Sequence, residues 1–346
     1  MDTKGNKSEV KISEIREIRK MEISVEDLFE GIKSKDKTAL GKAITLVESN
    51  SAPHQEIAQE LIERCLALRA SSVRIGITGV PGVGKSTFIE TLGTNLTAQG
   101  KKVAVLAVDP TSIQNKGSIL GDKTRMQKLA NDPQAFIRPS PAGESLGGVA
   151  QKTREAIVIC EAAGYDVILI ETVGVGQSEV AVHSMVDFFL VLKLSGAGDE
   201  LQGIKRGILE MADAVIINKA DGKNLDSAQM AVKEFARALH LYPPKENGWI
   251  PKVSACSAIE NSGIEEIWTL IDHYIKSQNE SGFLTKNRRE QNKHWLLQTI
   301  ENRLVGDFYR NREIKKALDE QIDAVTEGTT SPFKAAEKLF GLIQKT

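Results

Sequence analysis

Apolar positions along the chain change their period twice. From Ser24 they recur at helical spacing: Val25, Leu28, Phe29 and Ile32 share one face, followed by Leu40, Ala43, Ile44 and Val47, then Ile57, Leu61, Cys65 and Leu68. From Arg74 the stripe gives way to short apolar runs separated by helical lengths, at 74–78, 103–108, 167–170, 188–192, 214–217 and 251–254. Runs that are apolar throughout belong to strands buried on both faces, so parallel strands joined by helices are predicted. After about Gly263 helical spacing returns, with Leu297, Ile300, Leu304 and Phe308 on one stripe and Ala335, Leu339 and Leu342 on another. The predicted fold is α/β, a mostly parallel sheet flanked by helices, with helical N- and C-terminal extensions. The expected division is a loose charged arm over 1–22, a helical extension over 23–72, the sheet domain over 73–280 and a helical extension over 281–346.

The segments after the runs read GVPGVGKST, DPTS, ETVGVGQSE, KLSGAGDE, NKADG and ACSAIENSG. Ligands of open α/β sheets sit outside the carboxyl ends of the strands, so these loops should converge on one site. The first of them, Gly79-Val80-Pro81-Gly82-Val83-Gly84-Lys85-Ser86, fits G-x-x-x-x-G-K-[ST] between a strand-like run and a helix-like one. Its glycines let successive backbone N–H groups turn toward phosphates, and the helix that follows adds its positive N-terminus. Lys85 is expected on the β and γ oxygens, Ser86 on Mg²⁺ and Thr87 at the α-phosphate.

Asn218-Lys219-Ala220-Asp221 fits N-K-x-D, a pattern for guanine. A carboxylate at Asp221 accepts from guanine N1–H and the exocyclic amine, two donors that adenine does not present together. Ser254-Ala255-Cys256 resembles the S-A-x loop whose backbone supports the base. Between the phosphate and base motifs lie Asp109, Asp122 and Glu171, expected in catalysis, with Asp109 and Glu171 expected at the metal beside Ser86. Gly174 and Gly176 are expected to free a switch loop that also carries Gln177, which lies three residues past Gly174 rather than immediately after such a glycine.

Forty-five basic against 46 acidic side chains leave a formal charge of -1, so no global field favours nucleic acid or an anionic membrane. The three cysteines are far apart and odd in number, which suits a reducing cytoplasm better than a disulfide framework. The first residues are charged with no apolar core of a leader, and no run approaches the ~20 apolar residues of a membrane helix. A soluble, cytoplasmic protein is expected. A stand-alone cobalamin protein of the D-x-H-x-x-G type is disfavoured, because none of His54, His183, His240, His273 and His294 has Asp two residues before it.

With GVPGVGKST, VDPTS, GSILGDKTRM, RPSPAGESLGGVA, ETVGVGQSE, GAGDELQGIKRGILEMAD and NKAD in order, the chain resembles the MeaB/ArgK-type methylmalonyl-CoA mutase-associated GTPases, from about Leu40 to its C-terminus. The resemblance implies a GTPase that uses GTP/GDP and Mg²⁺, forms a homodimer with 281–346 as the dimerising helices, and serves an adenosylcobalamin-dependent acyl-CoA mutase. Such a protein gates cofactor loading and has a low intrinsic GTPase rate that the mutase stimulates. It assigns nucleotide and Mg²⁺ chemistry to Lys85, Ser86, Asp109, Asp122 and Glu171, and guanine to Asn218, Lys219 and Asp221. An additional switch over 194–205 would relay nucleotide state through Asp199, Gln202 and Lys205. Glu171, where many such enzymes carry Asp, is the family's own residue. The competing expectation is a kinase or ATPase acting on a periplasmic amino-acid-binding protein, which N-K-x-D disfavours.

Overall fold

The computed structural model describes residues 24–108, 126–139, 146–172, 178–195 and 206–343. Two compact units divide between Thr285 and Lys286. The first opens with α1 (Val25–Lys33), α2 (Lys37–Glu48) and α3 (Ala52–Ala67). Ser24 caps α1 by accepting from the Asp27 amide, and Asp36 caps α2 by accepting from the Thr38 and Ala39 amides. Leu28, Ile32, Leu40, Ala43, Ile44, Val47, Leu61 and Cys65, all on the predicted stripes, are buried. Leu68 is exposed where α3 ends.

The sheet is seven-stranded and wholly parallel, in the order β3-β2-β4-β1-β5-β6-β7. Its strands are β1 (Val73–Gly79), β2 (Val103–Val108), β3 (Ala135–Arg138), β4 (Val167–Thr172), β5 (Phe188–Leu194), β6 (Ala214–Asn218) and β7 (Lys252–Ala255). β5 and β6 are buried along almost their whole length, as continuous apolar runs require. Between and beside the strands lie α4 (Lys85–Ala98), α5 (Gln127–Ala130), α6 (Leu146–Ala162), α7 (Ser178–His183), α8 (Arg206–Met211), α9 (Leu225–Leu239) and α10 (Ile264–Glu280).

β3 is the strand that apolar-run reading does not find. Its four residues, AFIR, alternate buried and half-buried at the sheet edge, so only two of them carry the core signal. The N-terminal helices fasten this edge: Lys37 donates to the Ala135 carbonyl at 2.6 Å and the Asp132 carbonyl at 3.0 Å, and Arg138 pairs with Glu48.

From β1 the chain winds outward to β2 and β3 and returns at β4 beside β1. From β5 it builds the opposite flank. The carboxyl end of β1 therefore stands where the winding reverses, the place where open α/β sheets receive ligands.

The second unit comprises most of α11 (Phe283–Arg310), with α12 (Arg312–Thr326) and α13 (Pro332–Ile343). Ile314, Ala335 and Leu339 are buried, and the Phe308 and Phe340 rings lie 5.0 Å apart. Among the described residues no helix is long and apolar enough to cross a membrane.

Candidate functional site

Phosphate-loop geometry begins with β1, whose last residue, Gly79, lies beside Leu192 of β5. Gly84 is the N-cap of α4 with φ +94°, a left-handed conformation that disfavours a side chain. Space excludes one as well, since a Cβ there would stand 2.7 Å from Asn218 Nδ2. The Lys85 ammonium folds back over the loop, donating to the Gly79 carbonyl at 2.7 Å, with the Val80 carbonyl at 3.4 Å. Burial pulls its pKa below the ordinary lysine value, while the nearby carboxylates of Glu171 and Glu179 act in the opposite sense. A buried ammonium resting on carbonyl oxygens suits a polyanion, which would supply the counter-charge that those dipoles supply only in part.

Ser86, next along α4, donates from its hydroxyl to Glu171 Oε1 at 3.3 Å. Glu171 is the penultimate residue of β4 rather than the first residue beyond it, and the Thr172 hydroxyl behind it donates to Thr78 Oγ1 at 2.8 Å. The structure thus brings Lys85, Ser86 and Glu171 together. Among the described residues no cluster of three or more His, Cys, Asp or Glu side chains could hold a metal ion. Asp109, Asp122, Gly174, Gly176, Gln177, Asp199, Gln202 and Lys205 lie outside the described residues.

The base motif is fastened to this loop. Asn218, the last residue of β6 and buried, donates from Nδ2 to the Val83 carbonyl at 2.8 Å. Lys219, in a left-handed backbone conformation at φ +59°, donates to the Gly82 carbonyl at 2.8 Å. Pro81, Val83 and Thr87 complete the loop and first helical turn, with Val83 fully buried.

The expected supporting segment, Ser254 to Cys256, lies partly in β7. Ser254 and Ala255 are strand residues of β7, opposite Ile216 and Ile217 of β6. Cys256, buried, places its thiol 3.5 Å from Asn218 Oδ1, and burial pushes its pKa up to about 12. The Cys256 carbonyl accepts from the Ala220 amide at 2.9 Å, and the next Ser-Ala pair reaches the motif as well. Ser257 donates to Asp221 Oδ2 at 2.6 Å, and the Ala258 amide donates to Asn218 Oδ1 at 3.3 Å. Two Ser-Ala pairs stand three residues apart in SACSA, and composition alone does not rank them. What ranks them is the length of β7, which consumes the first pair.

A family model described as methylmalonyl Co-A mutase-associated GTPase MeaB matches residues 40–313. The chain belongs to this family. Its relatives include a probable GTPase of Mycobacterium tuberculosis, 46% identical over 323 residues that cover 93% of this chain and 96% of the relative. GTPase ArgK of Escherichia coli is 42% identical over 93% of this chain and 98% of its own length. The mitochondrial methylmalonic aciduria type A homolog of Mus musculus is 45% identical over 91% of this chain and 78% of its own. A solved structure described as LAO/AO transport system kinase superposes with a TM-score of 0.72 at 37% identity, covering 93% of this chain and 98% of that one. As a member of this mutase-associated family the protein is a P-loop GTPase: it binds GTP and GDP with Mg²⁺ and hydrolyses GTP to GDP and phosphate.

Proposed function

We propose that this GTPase binds its nucleotide across the carboxyl ends of β1, β4 and β6 and uses its hydrolysis to control an adenosylcobalamin-dependent acyl-CoA mutase, above all methylmalonyl-CoA mutase. The observation that carries the nucleotide reading is the bolt between the two half-sites: Asn218 and Lys219 each grip a phosphate-loop carbonyl, while Ser257 donates to Asp221 Oδ2. Family membership and the name of the mouse relative support the mutase.

In this reading Gly79 to Thr87 cradle the phosphates, and Lys85 exchanges its carbonyl partners for the β and γ oxygens. Ser86, Glu171 and Asp109 would hold Mg²⁺, which when bound offsets the charge on the transferring phosphoryl group. Asp122 joins them in catalysis. Asp221 accepts from guanine N1–H and the exocyclic amine; adenine would leave its carboxylate short of donors. Gly174, Gly176 and Gln177 form one switch, and Asp199, Gln202 and Lys205 another that relays nucleotide state to the mutase. Residues 281–346 are the dimerisation extension, a reading supported by exposed Leu297, Ile300 and Leu304 on one face of α11.

Equilibrium binding with the purified protein tests the phosphate half. Lys85→Ala should weaken GTP at least a hundredfold, since removing such a charge costs several kcal/mol; native affinity would sink the assignment. Asp221→Asn should shift preference from guanine toward xanthine nucleotides. For the relay, Lys205→Ala should lose the ratio of mutase-stimulated to unstimulated hydrolysis, and an unaltered ratio would refute it. For the dimer, Leu297→Asp with Leu304→Asp should give a monomeric mass by light scattering. Similarity to the solved LAO/AO transport system kinase supports a second reading, phosphoryl transfer from ATP to an amino-acid-binding protein. A preference for ATP over GTP in the hydrolysis assay would favour it.

A further inference from the structure

The helix that follows the phosphate loop touches the base-supporting loop at two points that no nucleotide motif includes. Thr91, one turn beyond Thr87 on α4, has a single hydroxyl proton with two carbonyls in reach. The contact to its own helix, Thr87 O, measures 3.0 Å, and the one that crosses to Ala258 O is shorter at 2.8 Å. Ala258 is the residue whose amide meets Asn218 Oδ1, so one short segment is held through its N–H by the base motif and through its C=O by the phosphate helix.

One turn further along α4, Asn95 and Asn261 exchange hydrogen bonds in both directions, at 2.8 and 3.2 Å. Asn261 takes φ +53° in a turn closed by the Ser257 and Ser262 backbones, which pair at 2.9 and 3.1 Å. The turn is therefore stiff, and a pull at Asn261 or Ala258 is transmitted to Ser257 and so to Asp221.

We propose that Thr91 and Asn95 are positioning residues for nucleotide binding, which fix the base-supporting loop to the phosphate helix and so set the span between the guanine and phosphate half-sites. The inference rests on the base and phosphate assignments made above. A rigid span matters because GTP bridges both half-sites: if the base loop drifts, the nucleotide satisfies Lys85 or Asp221 but not both at full strength. The two contacts differ in weight. Thr91 lies in a half-buried contact, whereas Asn261 is exposed and Asn95 borders a cleft of about 280 Å³ lined by Leu92, Leu96, Ile264 and Trp268, where water competes for the amides. Thr91 should dominate.

The test follows release of a fluorescent GDP from the full-length protein by stopped flow, with GTP hydrolysis measured alongside. Thr91→Val keeps the shape and removes the hydroxyl; it should release GDP about five- to tenfold faster and raise KM with little change in kcat, the scale of one net hydrogen bond. Thr91→Ser keeps the hydroxyl and should release at the native rate. Asn95→Ala should accelerate release about twofold. A native release rate in Thr91→Val, or a Thr91→Ser protein as fast as the valine variant, would overturn the proposal. Asp221→Asn in the same assay keeps the two ideas apart: weakened GDP leaves the base assignment standing whatever Thr91 does. Undiminished GDP binding by Asp221→Asn would remove that assignment and this proposal with it.

Discussion

Helix α4 in the sheet-bearing unit and helix α11, most of which belongs to the second unit, carry the same kind of apolar stripe. On α4, Phe88, Ile89, Leu92 and Leu96 are each 0% exposed. On α11, Leu297, Ile300 and Leu304 are 50%, 46% and 66% exposed. Period and composition are alike, so the difference lies in what each stripe faces. α4 lies on a seven-stranded sheet whose apolar residues fill its grooves, and it holds the phosphate loop with the precision that a packed helix provides. A stripe on α11 that stays exposed contributes little to folding of its own chain and is available to a partner.

This contrast breaks first at the core. Leu92→Ala should destabilise the sheet unit by about 2–5 kcal/mol, because the removed atoms leave a cavity against the sheet. Thiol labelling reads this unit selectively, since Cys65, Cys160 and Cys256 all lie in it and all are buried. Labelling of Leu92→Ala should accelerate steeply in mild denaturant. Leu304→Ala, in the other unit, should leave the labelling rate at its native value.

A second effect belongs to the sheet unit as well. Burial pushes the Glu155 carboxyl on α6 from the usual 4.5 up to about 7, with the Gln151 amide and Lys152 opposing it. Below about pH 4.5 folded and unfolded chains are both protonated there. Between about pH 4.5 and about 7 the unfolded chain has released a proton that the folded chain retains, so stability is lost over that window and levels off above it. Glu155→Gln should therefore be more stable than the native protein at pH 8, by roughly 1–3 kcal/mol, with the gap closing toward pH 4.5. A pH-independent difference in denaturation midpoint would contradict the burial argument.

Capping should ignore the contrast. Asp36 accepts from two amides at the start of α2, and Asn311 does so at the start of α12 in the other unit. Alanine at either should cost about 1 kcal/mol in urea titrations, because a cap is a local bond whatever the helix packs on. The smallest effect expected is Leu304→Ala in a monomeric background, within about 0.5 kcal/mol of native, since an exposed leucine leaves no cavity.

The candidate phosphate and base segments could be read from the chain because each is local in sequence. GVPGVGKST and NKAD are contiguous, and each names its own ligand group by composition and spacing. The strands β1, β2, β4, β5 and β6 were legible for a related reason: each is buried over most of its length and so contains a run of mostly apolar residues. β3 was not, because an edge strand of four residues shows only two in the core. Glu171 was recognised as a strand-end carboxylate, although it sits within β4 and meets Ser86 from the side. The supporting segment was read as Ser254 to Cys256, of which Cys256 meets the N-K-x-D backbone, while the side-chain contact to Asp221 comes from Ser257.

Those failures share one physical cause. Contiguous motifs name candidates for a phosphate-cradling backbone and a base-reading carboxylate, and those candidates are written along the chain. Which serine meets Asp221 depends on where β7 stops pairing with β6, a property of two strands 36 residues apart at the Ser257–Asp221 bond. The same holds for Thr91, which in isolation is one more helical threonine bonded to its own backbone. Only the packing of α4 beside the base loop turns its hydroxyl toward Ala258, because the direction of a hydrogen bond is settled by the nearest free acceptor in space, not in sequence.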